Sequence, residues 1–147
     1  MPTTIRPATL DDVPAMHGLV GELASFVDAL PAFTATVEEY QKDFAEDWFR
    51  GLVAEVDGKV IGMALYVLVY STWKGRMIYL EDFVLQPAYR RQGIGQQLWD
   101  ALLEVGRAEG CHLLKWQVIN TNDGGLKFYA AQEAIIEDDW LNGKLFL

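Results

Sequence analysis

Apolar residues change their spacing several times along this chain, and each change marks an element. Residues 3–6 (TTIR) read as a short first strand, followed by Pro7. Val13, Met16, Val20, Leu23 and Val27 then recur at helical spacing, which sets one face of a first helix against a core. Thr9 and Asp12 precede it as a capping box, each side chain meeting a free amide at the helix start. Residues 29–34, with Pro31, interrupt the pattern. Thr36 and Glu39 repeat the capping signature, and Val37, Tyr40, Phe44 and Trp48 line one face of a second helix. Beyond it the period shortens to two. LVAEV (52–56), the turn DGK (57–59) and VIGMALYVLVY (60–70) predict a β-hairpin, because Asp-Gly accepts the positive φ of a tight turn.

YSTWKGR (70–76) predicts a loop, and MIYLEDFVL (77–85) a strand rich in β-branched and aromatic residues. From Ile94, the residues Leu98, Ala101, Leu102 and Val105 form a helical stripe closed by Gly110. HLLKWQVI (112–119) predicts a strand, NTNDGG (120–125) a loop and LKFYAA (126–131) a short helix. The tail supplies two more expected strands, around Ile135 and at residues 145–147. The order is β-α-α-β-β-β-α-β-α-β-β. That is an α/β (α+β) chain with a mixed, mostly antiparallel sheet flanked by helices. With no internal repeat and no linker, residues 1–147 read as a single domain.

Composition narrows the functional classes. Of 147 residues, 51% are hydrophobic and 12% aromatic, which excludes a disordered chain. No apolar run approaches the roughly 18 residues of a membrane-spanning helix, and MPTTIRPATLDD lacks a signal pattern, so a cytoplasmic protein is expected. The single cysteine, Cys111, allows no internal disulfide framework and no cysteine-based zinc cluster. His17 and His112 are isolated, so no metal is expected. A net charge of −9 repels nucleic acid and draws cations. Any basic spot on such a surface needs a local reason.

One such spot is QPAYRRQGIGQQL, residues 86–98, between a strand and a helix. The first amides of a helix lack intrahelical partners, and the helix dipole adds positive potential there. Gly93 and Gly95 let the backbone turn and approach a bulky anion, while Arg90 and Arg91 add charge. A GxG this short is equally compatible with a helix start that uses glycine merely to turn. It is neither a GxxxxGK[ST] phosphate loop nor a full GxGxxG fingerprint.

RRQGIG resembles the R/Q-x-x-G-x-G/A signature of the GCN5-related N-acetyltransferases, and the element order fits that fold over the whole chain. YSTWKGRMIYLEDFVLQPAYRRQGIG (70–95) looks most like the diamine acetyltransferase branch and its thialysine-acetylating members. Weaker similarity covers IRPAT, the first helix and NDGGLKFY (122–129). The resemblance implies acetyl-CoA as donor, a small-molecule amine as acceptor and a homodimer, with no nucleic-acid or membrane partner. It implies that Arg90, Arg91, Gln92, Gly93, Ile94, Gly95 and Gln96 hold the pyrophosphate. Phe83, Val84 and Leu85 match the strand that contacts pantetheine and the thioester carbonyl, and Asn122 and Gly125 match cofactor contacts further on. Tyr129 matches the tyrosine that protonates the leaving thiolate, and Glu81 a glutamate that relays the amine's proton. Phe26, Val27, Asp28, Trp73 and Asp82 match the acceptor side.

Elementary chemistry is consistent with these roles. An alkyl ammonium with a pKa near roughly 10.4 must lose a proton before it attacks a thioester, and the departing thiolate must gain one. Strict alternation along 77–85 puts Met77, Tyr79, Glu81, Phe83 and Leu85 on one face and Asp82 on the other. Aromatic neighbours would then raise Glu81 toward a base's range; an ion pair is the alternative reading. Tyr129 follows Asn122 by two helical turns, so one short helix presents both; an aromatic core pair with Phe128 is the alternative. Cys111 reads as buried filler, Trp73 as a loop anchor or acceptor contact, and Trp48, Trp99 and Trp116 as core.

Departures bear on the substrate. The usual glycine of FYxxxGA is Glu133 here, and Val27 and Ser71 stand where polyamine-binding relatives carry acids. The expected activity is direct acetyl transfer to thialysine, a lysine-like amine or a short diamine. Peptide N-acetylation and a non-catalytic CoA-binding domain are the competing classes.

Overall fold

The computed structural model describes residues 2–147. It contains two compact units, one running to Trp116 and one from Gln117 to Leu147. The first holds β1 (Thr3–Pro7), α1 (Val13–Phe26), α2 (Val37–Ala45), β2 (Arg50–Val56), β3 (Lys59–Ser71), β4 (Gly75–Leu85), α3 (Ile94–Ala108) and β5 (Leu113–Trp116). The strands form one sheet in the order β1-β2-β3-β4-β5. The first three pairings are antiparallel, and β5 lies parallel to β4 after the α3 crossover.

Each sheet face meets different helices. Val53, Met63, Leu65 and Val84 pack with Met16 and Leu19 of α1, and Tyr40 of α2 and Phe49 lie against this cluster. On the other face Phe83 meets Trp99 of α3 edge-on at 5.8 Å. The start of α1 is pinned to β1 by Arg6, which donates to both Asp12 oxygens at 2.7 and 2.9 Å. Thr9 and Asp12 form the expected capping box, and Thr36 caps α2 by accepting from the Glu39 amide at 3.1 Å.

One irregularity in β4 decides where its side chains go. Leu65 pairs with Asp82 while the next residue, Tyr66, pairs with Leu80, so Glu81 is an extra residue in the strand. A β-bulge of this kind reverses the alternation beyond it. Tyr79 and Asp82 therefore share the α1–α2 face with their partners Val67 and Leu65, while Leu80 and Phe83 share the α3 face. The expectation that Tyr79 and Phe83 share a face, with Asp82 on the other, is overturned by that single inserted residue: Asp82 joins Tyr79, and Phe83 points the opposite way.

The second unit contains α4 (Asp123–Ala131) and an extension without regular structure from residue 132 onward. The two expected tail strands do not form among the described residues. Apolar composition suggested them, but Ile135, Leu141, Leu145 and Phe146 are largely exposed, and no ladder takes up their backbone. Trp48 is also exposed rather than core. α2 ends at Ala45 and Asp47 adopts φ 62°, so the chain leaves the helical face before Trp48. Trp99 is buried as expected, whereas Trp116 and Cys111 are only partly covered.

Candidate active site

The β4–α3 junction forms where the sequence placed it. Arg91 adopts φ 63° and Gly93 φ 80°, and Gly93 is the N-cap of α3. Left-handed residues alternating with others in a turn curl a backbone into a concavity that suits anions. The first long-range turn of α3 is closed by the Gln97 amide donating to the Gly93 carbonyl at 3.1 Å. Amides earlier in that turn have no carbonyl of their own helix to meet. A Cβ built at Gly93 would find nothing within 4 Å, so the mouth of the curl is open space. Arg90 and Arg91 are exposed there; Arg90 Nε donates to the Leu85 carbonyl at 3.2 Å, and Gln92 to the Ala88 carbonyl at 3.4 Å. Ile94 is buried, so its side chain belongs to the core and its amide alone is offered to a ligand.

The strand leading into this curl is open along one edge. β5 pairs with β4 from Met77 to Leu80 and stops at Trp116, level with Leu80. From Glu81 to Leu85, β4 is paired with β3 alone. Backbone groups left by a sheet edge need partners, and an extended amide-bearing ligand supplies them. Val84 is buried on the α1 side and Phe83 packs on Trp99, so these residues offer main chain rather than side chains.

The bulge brings two carboxylates close together. The Asp82 carboxyl is pushed up to about 6, by burial first and then by the neighbouring Glu81 charge. Glu81 itself is exposed, so the apolar enclosure expected for it belongs to Asp82 instead. Among the described residues neither carboxylate has an ion pair or a side-chain hydrogen bond. That is the reverse of the ion-pair alternative. The Tyr40 phenol is pushed up to about 12, by burial and then by the charges of Asp82 and Glu81. Tyr79 is raised by burial and by Glu81. The sequence assigns Tyr40 only to the apolar face of α2. The one signal that could have marked it is a hydroxyl in a stripe otherwise made of Val37 and Phe44.

Other acceptor-side residues lie at element ends. Phe26 closes α1 and is exposed, Val27 is its C-cap, and Asp28 adopts φ 55°. Trp73 sits in the β3–β4 turn, 82% exposed, where its amide and that of Lys74 donate to the Ser71 hydroxyl. Burial pushes the Cys111 thiol up, which disfavours the thiolate a nucleophile needs. A cleft of about 410 Å³ lies elsewhere, lined by Asp11, Glu22, Lys59 and Gln86 among others, so cavity shape does not mark this chemistry.

In the second unit, the Asn122 side chain accepts from the Gly125 amide at 3.0 Å and so caps α4. A Cβ at Gly125 would come within 2.7 Å of Asn122 Nδ2, which accounts for glycine there. Tyr129 is 7% exposed and packs edge-on to Phe128 at 5.7 Å. Burial pushes its phenol up, so it keeps its proton at neutral pH. Glu133 adopts φ 60° directly after the helix, with its amide on the Ala130 carbonyl and that of Ala134 on the Tyr129 carbonyl. This is a Schellman ending, whose left-handed position favours glycine.

The mixed sheet has a fourth strand that leads to a glycine-capped helix start, and the profile of the Acetyltransferase (GNAT) family matches residues 22–133. The chain belongs to that family. It is 33% identical to a thialysine N-epsilon-acetyltransferase of Mus musculus, over 95% of this chain and 90% of that protein. To a thialysine N-epsilon-acetyltransferase of Bos taurus it is 36% identical, over 86% of this chain and 81% of the relative. Among solved structures, an aminoglycoside N-acetyltransferase, AAC(6')-Iy, in complex with CoA superposes with a TM-score of 0.79 at 19% identity. That match covers 98% of this chain and 95% of the other, and at such identity it speaks for the fold alone.

Proposed function

We propose that this chain transfers the acetyl group of acetyl-CoA directly to a primary amine of a small molecule of the thialysine, lysine-like or short-diamine kind. The observation that carries the reading is the open β4 edge from Glu81 to Leu85, followed after the 86–92 connection by the left-handed Gly93 at the start of α3. An extended amide chain ending in a pyrophosphate matches both parts, since one offers main-chain partners and the other amides at a positive helix end. The thialysine N-epsilon-acetyltransferase relatives support the acceptor class.

When bound, acetyl-CoA supplies a thioester activated for attack. Main-chain groups of 83–85 orient the donor, and the 90–96 curl, with Arg90 and Arg91, holds its pyrophosphate. Glu81 and Asp82 draw the ammonium out of water, and Glu81, being exposed, passes the amine's proton on to solvent. Tyr129 holds a proton at its phenol oxygen for the departing thiolate, a role that rests on its place in NDGGLKFY and on its burial. Asn122 and Gly125 take the remaining cofactor contact, the Asn122 amide nitrogen being the part not engaged in the cap. Phe26, Val27, Asp28 and Trp73 border the acceptor.

The family match at 22–133 runs across residue 116, which supports reading residues 1–147 as one acetyltransferase domain. Trp140, Leu141, Leu145 and Phe146 are exposed, which supports a homodimer that covers them. No helix among the described residues is long and apolar enough to cross a membrane; a cytoplasmic setting fits the acetyl-CoA supply. Comparing kcat/KM for thialysine, 1,3-diaminopropane and spermine at one ionic strength tests the acceptor class. The first two should exceed spermine, because Val27 and Ser71 replace two acids that a long polyamine would need. A clear preference for spermine would overturn it.

A further inference from the structure

Tyr40 stands apart among the core-facing residues of α2. Its ring is fixed on several sides, with His17 at 4.8 Å, Phe49 at 5.6 Å and Phe33 at 6.3 Å between ring centres. His17 is itself held in place, its Nε2 lying 2.9 Å from the Ala35 carbonyl. Tyr40 and Phe49 pack against the core cluster that includes Leu65 and Val84. Asp82 lies on that same face, paired with Leu65 and two residues from Val84. The bulge is what turns Asp82 toward α2 and leaves Glu81 beside it.

Tyr40 and the two carboxylates are thus grouped at one face of the sheet, near enough for both charges to act on the phenol. Tyr40, Glu81 and Asp82 make no ion pair or side-chain hydrogen bond among the described residues, yet both carboxylate charges are felt at the Tyr40 phenol. A desolvated carboxylate without a partner, as Asp82 is, is costly, and a bound ammonium relieves that cost. A primary ammonium has three N–H donors. Two carboxylates and one phenol oxygen offer one acceptor to each.

We propose that Tyr40 determines specificity in the amine site, its hydroxyl completing with Glu81 and Asp82 a three-acceptor receptor for a primary ammonium. This rests on the amine-acetylating reading above and names the group that site recognises. Because the ring is fixed by its aromatic neighbours, the phenol oxygen is pre-positioned and little rotamer freedom is lost on binding. Ammonium groups bearing methyls in place of hydrogens are bulkier and have nothing to donate, so the receptor discriminates against them.

Direct binding separates this proposal from the reaction itself. Wild type and Tyr40→Phe, each saturated with CoA, are titrated calorimetrically with 1,3-diaminopropane and with its permethylated bis-quaternary counterpart. Wild type should bind the diamine more tightly than the quaternary compound. Tyr40→Phe should lose about tenfold in diamine affinity, as expected for a hydrogen bond to a charged group, and leave the quaternary compound unchanged. That change in ratio is one that altered packing alone would not produce. An unchanged ratio, or no diamine binding by the wild type, overturns the receptor. Turnover with acetyl-CoA is measured separately; diamine binding without transfer would leave the receptor standing and defeat the acetyltransferase reading.

Discussion

Replacing Asp82 with Asn should stabilise this protein at neutral pH. Its carboxyl is pushed from 3.8 to about 6 by burial and by Glu81. A raised carboxyl means that the folded chain holds a proton which the unfolded chain releases between those two values. The contribution of Asp82 is therefore most favourable below pH 3.8 and is lost as pH rises through about 6. At about 1.36 kcal/mol per pH unit the full difference is roughly 3 kcal/mol. Asp82 retains some solvent access, which lowers this to about 1–2 kcal/mol. Because no side-chain hydrogen bond or ion pair to Asp82 is lost, Asn removes the charge and little else. Urea unfolding at pH 7.5 and pH 4.5 reads the effect. With a slope of about 2 kcal/mol/M, the variant's midpoint should lie about 0.5–1 M above wild type at the higher pH. At the lower pH, which still lies above 3.8, the difference should shrink to about a third of that. The same variant should bind amines less well, since its stability comes from removing the charge that a ligand ammonium would otherwise neutralise. An equal stability difference at both pH values would refute the placement of Asp82 in a desolvated setting beside Glu81.

Gly93→Val should weaken CoA binding in calorimetry, because its side chain enters the open mouth of the curl; at φ 80° it also costs about 1–3 kcal/mol of stability. Undiminished CoA affinity in the folded variant would remove Gly93 from the pyrophosphate site. Tyr129→Phe removes only a hydroxyl and should lower kcat by about 10²–10⁴-fold while CoA affinity holds; a fully active variant assigns Tyr129 to packing with Phe128. Glu133→Gly should stabilise the protein by about 1 kcal/mol, read as a raised Tm, because a left-handed residue after α4 is relieved of its side chain. A lowered Tm would show that the Glu133 side chain contributes more than its backbone costs.

The β4–α3 junction was legible because two independent signals coincide there. The hydrophobic period switches from two to helical, and glycines fall where backbone must curl, as the left-handed Gly93 bears out. The capping residues Thr9, Asp12 and Thr36 were legible for a similar reason, since their partners lie within one turn. What escaped depends on contacts distant in sequence. Nothing local announces that Glu81 is an extra residue, because the bulge is defined by its pairing with β3, so the alternation rule assigned Asp82 and Phe83 to the wrong faces. Tyr40 fits an apolar helix stripe whether or not carboxylates lie beneath it. Trp48 continues that stripe in sequence, and the left-handed Asp47 that ends it has no strong local signature. The apolar residues 135–147 satisfy a strand pattern, but a strand exists only where a neighbour accepts its ladder.

The central claim is amine-dependent acetyl transfer, and thiol release from acetyl-CoA measured with and without 1,3-diaminopropane or thialysine tests it most directly. The account predicts negligible release without amine and, with it, one thiol per acetylated amine identified by mass spectrometry. The rate should rise from pH 7 to 9 as the free amine becomes available. Tight binding of CoA with no amine-dependent release from any primary amine would contradict the account and leave a CoA-binding domain in its place.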